Sequence, residues 1–245
     1  MRSGSGLEGV APYTGSMVEP AQPSVGWGVL HLFCRTTPLA DRDLILAALK
    51  SAESAGDQVV TAAMLGHKSD IAFMALSEDL WRLRHLQTEL QQAGLDIVDS
   101  YVSLTEISEY AKGVPDEMKN ARLYPNLPPE GKQAFCFYPM SKRRLPDQNW
   151  FTLPYEERKG FMYEHGASGR AFAGRVVQVI TGSTGIDDFE WGVTLFAVHP
   201  DDLKEVVYTM RFDHASAVFA EFGPFYTGLV AAPEIVLDRI GLAGG

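Results

Sequence analysis

Hydrophobic and polar positions repeat along the chain with two different periods, and the changes of period mark the ends of elements. Alternation and β-branched content predict strands, as in GWGVLHLFCRTT at 26–37. Spacings of three and four predict helices, as for Leu80, Leu83, Leu86 and Leu90. The first half therefore has the order β-α-β-β-α-β, with elements at 26–37, 41–56, 58–66, 70–77, 78–94 and 95–106.

The second half of the chain repeats this order. DIAFMALSEDLWRL in the first half matches WGVTLFAVHPDDLKEV in the second, which indicates an internal repeat. The order β-α-β-β-α-β is that of the ferredoxin-like fold. The six elements of the second half are predicted at 133–141, 153–169, 175–183, 189–198, 199–219 and 223–231.

This pattern predicts an α+β protein in which two ferredoxin-like repeats form a dimeric α+β barrel. We divide the chain into a flexible leader at 1–25, an N-terminal half at 26–112, a Pro- and Gly-rich linker at 113–132 and a C-terminal half at 133–235. Helices cover one face of each predicted sheet. We therefore expect the other faces to bury a large apolar ligand between the halves.

Composition narrows the class of protein. The chain has 245 residues, of which 46% are hydrophobic, so it can form a sizeable core. Its formal net charge of −10 disfavours nucleic-acid binding and, more weakly, binding to an anionic membrane. No run of 18 apolar residues predicts a membrane span, and the N-terminus lacks the apolar core of a signal peptide. Cys34 and Cys136 lie in apolar strands outside any CxxC pair, so we expect buried free thiols, as in a reducing cytoplasm.

A histidine followed by a glycine stands near the end of the predicted helix 153–169, in FMYEHGASGR. On a helix His165 shares a face with Phe161, Met162 and Gly169, so apolar and very small side chains surround it. Two interpretations are open at this point. The ring packs or caps the helix end, or it is the proximal ligand of a haem iron, with Gly169 allowing a flat group to approach.

The sequence CFYPMSKRR combines a tyrosine with three basic residues in an acidic chain. Tyr138 stands toward the end of a predicted strand, and Lys142, Arg143 and Arg144 follow it. The pattern is typical either of a solvated turn or of a clamp for a carboxylate or phosphate beside a phenol.

Two further groups of polar residues interrupt apolar elements. Gln178 lies on the opposite face of its strand from Val177 and Val179, toward solvent or a ligand. YTMRFDHASAVF places a second group near a helix end, where such residues ordinarily face solvent. The chain contains no HExxH, phosphate-binding glycine loop or GxSxG motif. The residues of the second group are Arg211, Asp213, His214 and Ser216.

Together these motifs resemble the chlorite dismutase superfamily and, more narrowly, its coproheme decarboxylases of the Gram-positive type. The resemblance runs from about residue 26 to 232 and is densest over 136–228, through CFYPMSKRR, MYEHGASGRAFAG, VVQVITGSTGIDDFEWG and VVYTMRFDHASAVFAEFGPFYTG. It implies two ferredoxin-like halves in a barrel, assembly of five chains, and haem binding by the C-terminal half.

The resemblance also implies roles for single residues. The histidine of the HG motif, His165, would be the iron ligand. The tyrosine of YPM, Tyr138, would carry the radical that starts decarboxylation, and Lys142 would contact a propionate and serve as a proton donor. Trp150 and Trp191 would pack near the pocket. The residues that would contact the porphyrin or its propionates are Arg122, Met140, Arg170, Gln178, Arg211 and Ser216.

Three positions bear on the reaction that the resemblance implies. Gln178 stands thirteen positions after His165. Chlorite dismutases carry there an arginine that holds a chlorite-derived anion, and a neutral glutamine cannot supply that charge. His214 stands where the family often has a glutamate, a candidate partner for the proximal histidine, so we expect a less imidazolate-like His165. Phe189 stands where the family has a tryptophan.

The sequence thus predicts an oxidoreductase that decarboxylates coproheme III (iron coproporphyrin III) to haem b with hydrogen peroxide, through a three-propionate intermediate, in haem biosynthesis. The iron porphyrin would be both substrate and cofactor. We expect a cytoplasmic homopentamer with transient contact to the upstream ferrochelatase and no nucleic-acid or membrane partner. The alternatives are a chlorite dismutase or weak haem peroxidase, a non-enzymatic haem carrier or sensor, and a barrel protein that binds no porphyrin.

Overall fold

The computed structural model describes residues 19–243, so the first eighteen residues of the predicted leader lie outside it. Its strands are β1 Gly28–Thr36, β2 Gln58–Met64, β3 Ile71–Ser77, β4 Leu95–Thr105, β5 Ala134–Lys142, β6 Arg144–Leu145, β7 Gln148–Asn149, β8 Val176–Gly182, β9 Trp191–Ala197, β10 Ala220–Phe222 and β11 Tyr226–Val230. Its helices are α1 Arg42–Ser54, α2 Leu80–Gln92, α3 Asp116–Leu123, α4 Tyr155–Arg170, α5 Pro200–Met210, α6 His214–Ala217 and α7 Pro233–Arg239.

Eight of these strands close into an antiparallel barrel. The order is β5-β11-β2-β3-β1-β4-β8-β9, and β9 pairs back onto β5. Pairing within a half is long, with seven residue pairs between β1 and β3. Pairing between the halves is short, with two pairs from β4 to β8 and three from β11 to β2. The predicted α+β class with two ferredoxin-like halves is confirmed.

Side chains from both halves fill the inner face of the barrel. Phe33 of β1 stacks on Tyr226 of β11 with ring centroids 3.7 Å apart. Phe137 lies 5.5 Å from Phe33 and brings in the C-terminal half at β5. A cavity beside Tyr226 measures about 240 Å³, below the 300–1,000 Å³ that is usual for small-molecule pockets. The predicted placement of a large ligand between the halves is wrong, because aromatic packing occupies that space.

Helices cover the outer face of the barrel. The Asp41 side chain accepts the backbone N–H of Leu44 and so fixes the start of α1. α1 and α2 bury Leu49 and Leu86 against the N-terminal sheet, and α7 adds Leu237 to the same cluster. On the C-terminal half, α5 packs on the sheet through its buried side chains. The hydrophobic ones are Leu203, Val206 and Met210.

The predicted helix at 199–219 is interrupted. α5 ends at Met210, and α6 begins at His214 with Asp213 as its N-cap. The Asp213 carboxylate accepts the backbone N–H of Ser216 at 2.9 Å, and aspartate favours such a cap over a helix interior. The break turns the segment 211–216 back toward α4. The segment 113–132, predicted to be a linker, contains α3.

Cys34 and Cys136 are buried free thiols on strands, as predicted. Burial raises the pKa of Cys34 to about 12 and that of Cys136 to about 11, so both thiols stay protonated at neutral pH. Among the described helices, none combines the length and the apolar character needed to cross a bilayer.

Candidate functional site

One face of β5 carries the tyrosine and the lysine that the sequence singles out. Strand alternation turns Phe135 and Phe137 into the barrel and places Tyr138, Met140 and Lys142 on the outer face. The site is therefore built between the C-terminal sheet and the helices that cover it.

Tyr138 is almost completely enclosed. It is 5% exposed, its ring stacks on Phe225 at 4.5 Å between centroids, and Phe222 meets it edge-on at 5.6 Å. Burial raises the pKa of the phenol well above its ordinary value, and the neighbouring Arg211 charge only partly opposes this. The phenol therefore keeps its proton at neutral pH.

Lys142 is a buried amine, 6% exposed. Its Nζ donates to the backbone oxygen of Ala215 at 2.7 Å and lies 4.6 Å from the ring centroid of Trp150. Burial lowers the pKa of Lys142 to about 8, against the opposing negative charges of Asp213 and Glu190. The amine therefore titrates slightly above neutral pH.

The other two basic residues of the CFYPMSKRR motif lie near protein carboxylates, Arg143 more closely than Arg144. Arg143 Nε lies 3.5 Å from Glu221, and Arg144 lies 3.9 Å from Glu190. A clamp made of all three basic residues is therefore not formed, and Lys142 alone faces the surface that carries Tyr138.

His165 lies within α4, which continues through Gly166 and Gly169 to Arg170. Its side chain does not cap the helix. The ring Nδ1 is 2.9 Å from Asp213 Oδ2 and 3.3 Å from Ser216 Oγ.

The partner of His165 is Asp213, not the residue at position 214. Burial alone would raise the pKa of Asp213, but its contacts with His165 and Ser216 outweigh burial and lower it. His214 is exposed and stacks on Phe161 at 4.2 Å. The expectation of a neutral partner for His165 is therefore wrong, because an aspartate one position earlier supplies the carboxylate.

The other ring nitrogen of His165 is available for a ligand. Within the described residues, Nε2 makes no hydrogen bond, and the side chain is 24% exposed. An imidazole whose Nδ1 bonds to a carboxylate has the tautomer and orientation that suit metal ligation through Nε2. The described residues contain no group of three or more His, Cys, Asp or Glu side chains that could hold a metal ion by themselves. The single available imidazole thus fits a metal ion whose other ligands come from a prosthetic group and not from the protein.

Gly169 leaves the helix face that carries His165 without a side chain one turn further along α4. A Cβ at Gly169, one turn after His165, would lie 2.9 Å from Met210 Cε and 3.5 Å from Gln178 Nε2. Gln178 therefore lies on the outer face of β8, opposite α4, as its alternation with Val177 and Val179 predicts. Met210 and Gln178 flank this face of α4. The first side chain is apolar, and the second is polar but uncharged.

The remaining predicted contacts are spread around this site. Arg211 stacks on Phe222 at 5.1 Å, beside Tyr138, and Arg170 lies over the exposed Tyr163 at 5.6 Å. Ser216 contacts His165. Arg122 is an exposed residue of α3, and no described contact joins it to Tyr138 or His165. The structure thus brings together most, but not all, of the predicted set.

Sequence reasoning missed three kinds of residue at this site. It did not assign Phe222 and Phe225 as the neighbours of Tyr138, Asp213 as the partner of His165, or Glu190 as a partner of Lys142. Aspartate is a preferred N-cap residue, and that preference could have located the start of α6 and hence Asp213.

The fold and this site define a class of protein: a barrel of two ferredoxin-like halves with an imidazole on a helix over its C-terminal sheet. The chain belongs to the chlorite dismutase family, whose family model matches residues 42–231.

Individual relatives add detail. A protein of Natronomonas pharaonis, whose name proposes that it binds heme, is 40% identical over 250 positions. The match covers 88% of this chain and 41% of that protein, so the chain spans about two fifths of that relative's length. A solved heme-binding protein from Thermus thermophilus is 36% identical with a TM-score of 0.80, covering 89% of this chain and 96% of that one.

A point mutant of the chlorite dismutase from Candidatus Nitrospira defluvii has a TM-score of 0.70 at 16% identity, over 89% of this chain and 96% of that one. At that identity the likeness concerns the fold.

Proposed function

We propose that this chain binds an iron porphyrin and that His165 Nε2 would hold its iron. The observation that carries the proposal is the 2.9 Å contact between His165 Nδ1 and Asp213, because ligating imidazoles commonly donate their second N–H to a carboxylate. A porphyrin brings four nitrogen ligands, so one protein imidazole suffices. The heme-binding names of the Thermus and Natronomonas relatives support this ligand.

We further propose that the porphyrin is coproheme III and that the chain converts it to haem b with hydrogen peroxide. For each of two propionates, R–CH2–CH2–COOH + H2O2 gives R–CH=CH2 + CO2 + 2 H2O. The propionate loses two electrons and the peroxide gains them, and the first round leaves a three-propionate intermediate. When bound, the iron porphyrin supplies the centre at which peroxide is reduced.

Tyr138 is assigned to the removal of hydrogen from the propionate. Oxidation of its phenol breaks the O–H bond, and a hydrogen atom from the propionate β-carbon restores it. Loss of CO2, of the carboxyl proton to water and of a second electron, which the peroxide accepts, then leaves the vinyl group. The enclosure of the ring by Phe222 and Phe225 supports this role, because it excludes water from a reactive phenoxyl.

Lys142 is assigned to the carboxylate of the reacting propionate. Its pKa of about 8 leaves the amine mostly charged at neutral pH and able to give up a proton. Met140, between Tyr138 and Lys142 on the same face of β5, would touch the porphyrin edge. The other propionate contacts that we propose are Arg170, Arg211, Ser216 and, from α3, Arg122.

Gln178 separates this reaction from chlorite chemistry. Chlorite dismutases carry at this position an arginine that holds a chlorite-derived anion, whereas the side chain that faces α4 here is a neutral amide, which disfavours chlorite as the substrate. A haem carrier would bind through His165 in the same way but would not need the buried phenol of Tyr138. We therefore keep the carrier as the second candidate.

The remaining parts of the proposal concern the setting of the reaction. We propose that the protein is a cytoplasmic homopentamer and that it receives coproheme from the ferrochelatase. We also propose that the chain divides at the boundaries predicted from the sequence. The local cations at Lys142 and Arg211, which stand out in a chain of net charge −10, support a site that selects a substrate with several carboxylates.

The test is to mix the purified chain with iron coproporphyrin III, titrate hydrogen peroxide and follow the porphyrin mass. We expect two successive losses of a carboxyl group in the natural protein and none in Tyr138→Phe. The matched control is Tyr208→Phe, which removes an exposed phenol from α5 and should leave both losses unchanged.

Porphyrin binding without any mass change would contradict the decarboxylase and favour the carrier. Equal activity of Tyr138→Phe and the natural protein would contradict the role of Tyr138. Unchanged porphyrin binding in His165→Ala would contradict the assigned ligand.

A further inference from the structure

The end of β5 lacks a strand neighbour on one side. β9 begins at Trp191, which pairs with Met140, whereas β5 continues to Lys142. On the other side, β10 pairs with Lys142 through Ala220. The Lys142 backbone N–H donates at 2.7 Å to Glu190 Oε2, so a side-chain carboxylate takes the place of a strand.

Glu190 is itself buried and held from several directions. It is 5% exposed, and its backbone N–H donates to the Met140 oxygen at 3.1 Å and to Ser141 Oγ at 3.2 Å. The nearest basic group on its carboxylate is Arg144, 3.9 Å away on a side chain that is 67% exposed. A buried carboxylate with so weak a counter-ion acts strongly on other charges nearby, because little solvent screens it.

The charged group that this carboxylate influences is the Lys142 amine. Two negative groups act on that amine, Asp213 from the start of α6 and Glu190 from the start of β9, and both oppose the effect of burial. Asp213 also binds His165 and Ser216. Glu190 accepts the backbone N–H of Lys142 itself. The same carboxylate therefore holds Lys142 in place and adds negative charge near the Lys142 amine.

We propose that Glu190 is a positioning residue for Lys142: the Glu190 carboxylate fixes the end of β5, and with it the place of the Lys142 amine, and it adds a buried negative charge beside this residue. This inference rests on the proposed function of Lys142 as a propionate contact and proton donor. Glu190→Gln keeps an acceptor for the backbone N–H and removes the charge, so it separates the two effects.

The test is NMR titration of the lysine Nζ resonances in the full-length, porphyrin-free chain. In Glu190→Gln we expect the pKa of Lys142 to fall by about one unit, since a nearby opposite charge is lost. The control Glu221→Gln removes a carboxylate that is 51% exposed on the adjacent β10 and binds Arg143, and it should leave Lys142 unchanged. An unchanged titration of Lys142 in Glu190→Gln would overturn the proposal.

A second measurement uses only the natural protein, so it can be made even if Glu190→Gln does not fold. In the natural protein, the amide proton shift of Lys142 should follow the titration of the Glu190 carboxyl group, because that carboxylate accepts its hydrogen bond. An amide shift that is indifferent to this titration would also overturn the proposal.

Activity separates this inference from the proposed reaction. If the chain decarboxylates coproheme, the alkaline limb of its pH profile should move to lower pH in Glu190→Gln and stay in place in Glu221→Gln. Identical profiles would overturn the inference and leave the reaction standing. A Lys142 shift by NMR with no decarboxylation by the natural protein would overturn the reaction and leave the coupling of the pair standing.

Discussion

His31 shows how strongly the barrel interior acts on a single residue. Its ring is 1% exposed, lies 4.2 Å from the Phe137 ring, and places Nε2 2.9 Å from Thr194 Oγ1. Its Nδ1 has no hydrogen-bond partner within the described residues. Burial lowers the pKa of His31 to about 3, so the folded protein holds the ring neutral throughout the ordinary pH range.

This depressed pKa makes stability depend on pH. The unfolded chain takes up a proton at His31 near pH 6.5 and the folded chain only near pH 3, so stability falls as pH decreases through that window. From pH 7 to pH 5 we expect His31 alone to lower the free energy of unfolding by about 2 kcal/mol. Urea unfolding of His31→Gln should lack this part of the loss, whereas His85→Gln, on an exposed histidine of α2, should keep it. Parallel losses in the two variants would contradict the assignment.

The residues of the site differ in how far the sequence could predict them. Tyr138 and Lys142 are four apart on a strand, so alternation alone puts them on one face. Asp213 lies 48 positions from His165, and Glu190 lies 48 positions from Lys142. Both depend on where another element ends, and the sequence pattern locates element ends poorly.

At the scale of the element, α4 is unusual because none of its sixteen residues is fully buried. Glu156 and Glu157 in the first turn and Arg170 in the last turn suit the helix dipole. Contacts with α5 and α6, and not a buried apolar stripe, hold the helix over β8. The face of α4 that carries His165 and Gly169 therefore remains partly exposed to solvent.

Two glycines of α4 allow a matched test of that face. Gly169→Val would place methyl groups against Met210 and Gln178, whereas a Cβ at Gly160 meets no atom within 4 Å. Since both changes replace the same residue type in one helix, their effects on helix propensity cancel in the comparison. We expect haem affinity to fall at least about tenfold in Gly169→Val and to stay unchanged in Gly160→Val, by absorbance titration. Equal affinities would contradict the proposal that the porphyrin binds on this face.

Most elements could be predicted because their periods are long and regular. The six elements of the N-terminal half all appear, and α2 buries Leu83, Leu86 and Leu90 as its spacing indicates. The helix at 199–219 was predicted as continuous because its apolar spacing carries on past Met210. The capping preference of Asp213 outweighs that spacing and divides the helix.

At the scale of the whole molecule, the two halves share one interior. The pairings that join them are short, but Phe33 from one half stacks directly on Tyr226 from the other. Neither half can bury this inner face alone. We therefore expect the barrel to unfold as one cooperative unit.

Phe33→Ala tests this cooperativity. Removal of a fully buried ring from a shared core should cost about 3–5 kcal/mol. Hydrogen exchange should show β3 of the N-terminal half and β9 of the C-terminal half losing protection together. Leu39→Ala, at a side chain that is 82% exposed, should change stability by less than about 0.5 kcal/mol. Loss of protection confined to β3 would show instead that the halves unfold separately.

Barrel closure also limits how copies of the chain can associate. Each strand of the ring of eight has a neighbour on both sides, but only two residue pairs join β4 to β8 and three join β11 to β2, so parts of these strand edges lie outside the ladder. A strand of another copy could therefore extend the sheet at these two junctions, and not where β1 pairs with β3 or β5 pairs with β9 over seven residue pairs. In a closed ring of subunits, the number of subunits is set by the angle between the two surfaces that each subunit presents to its neighbours.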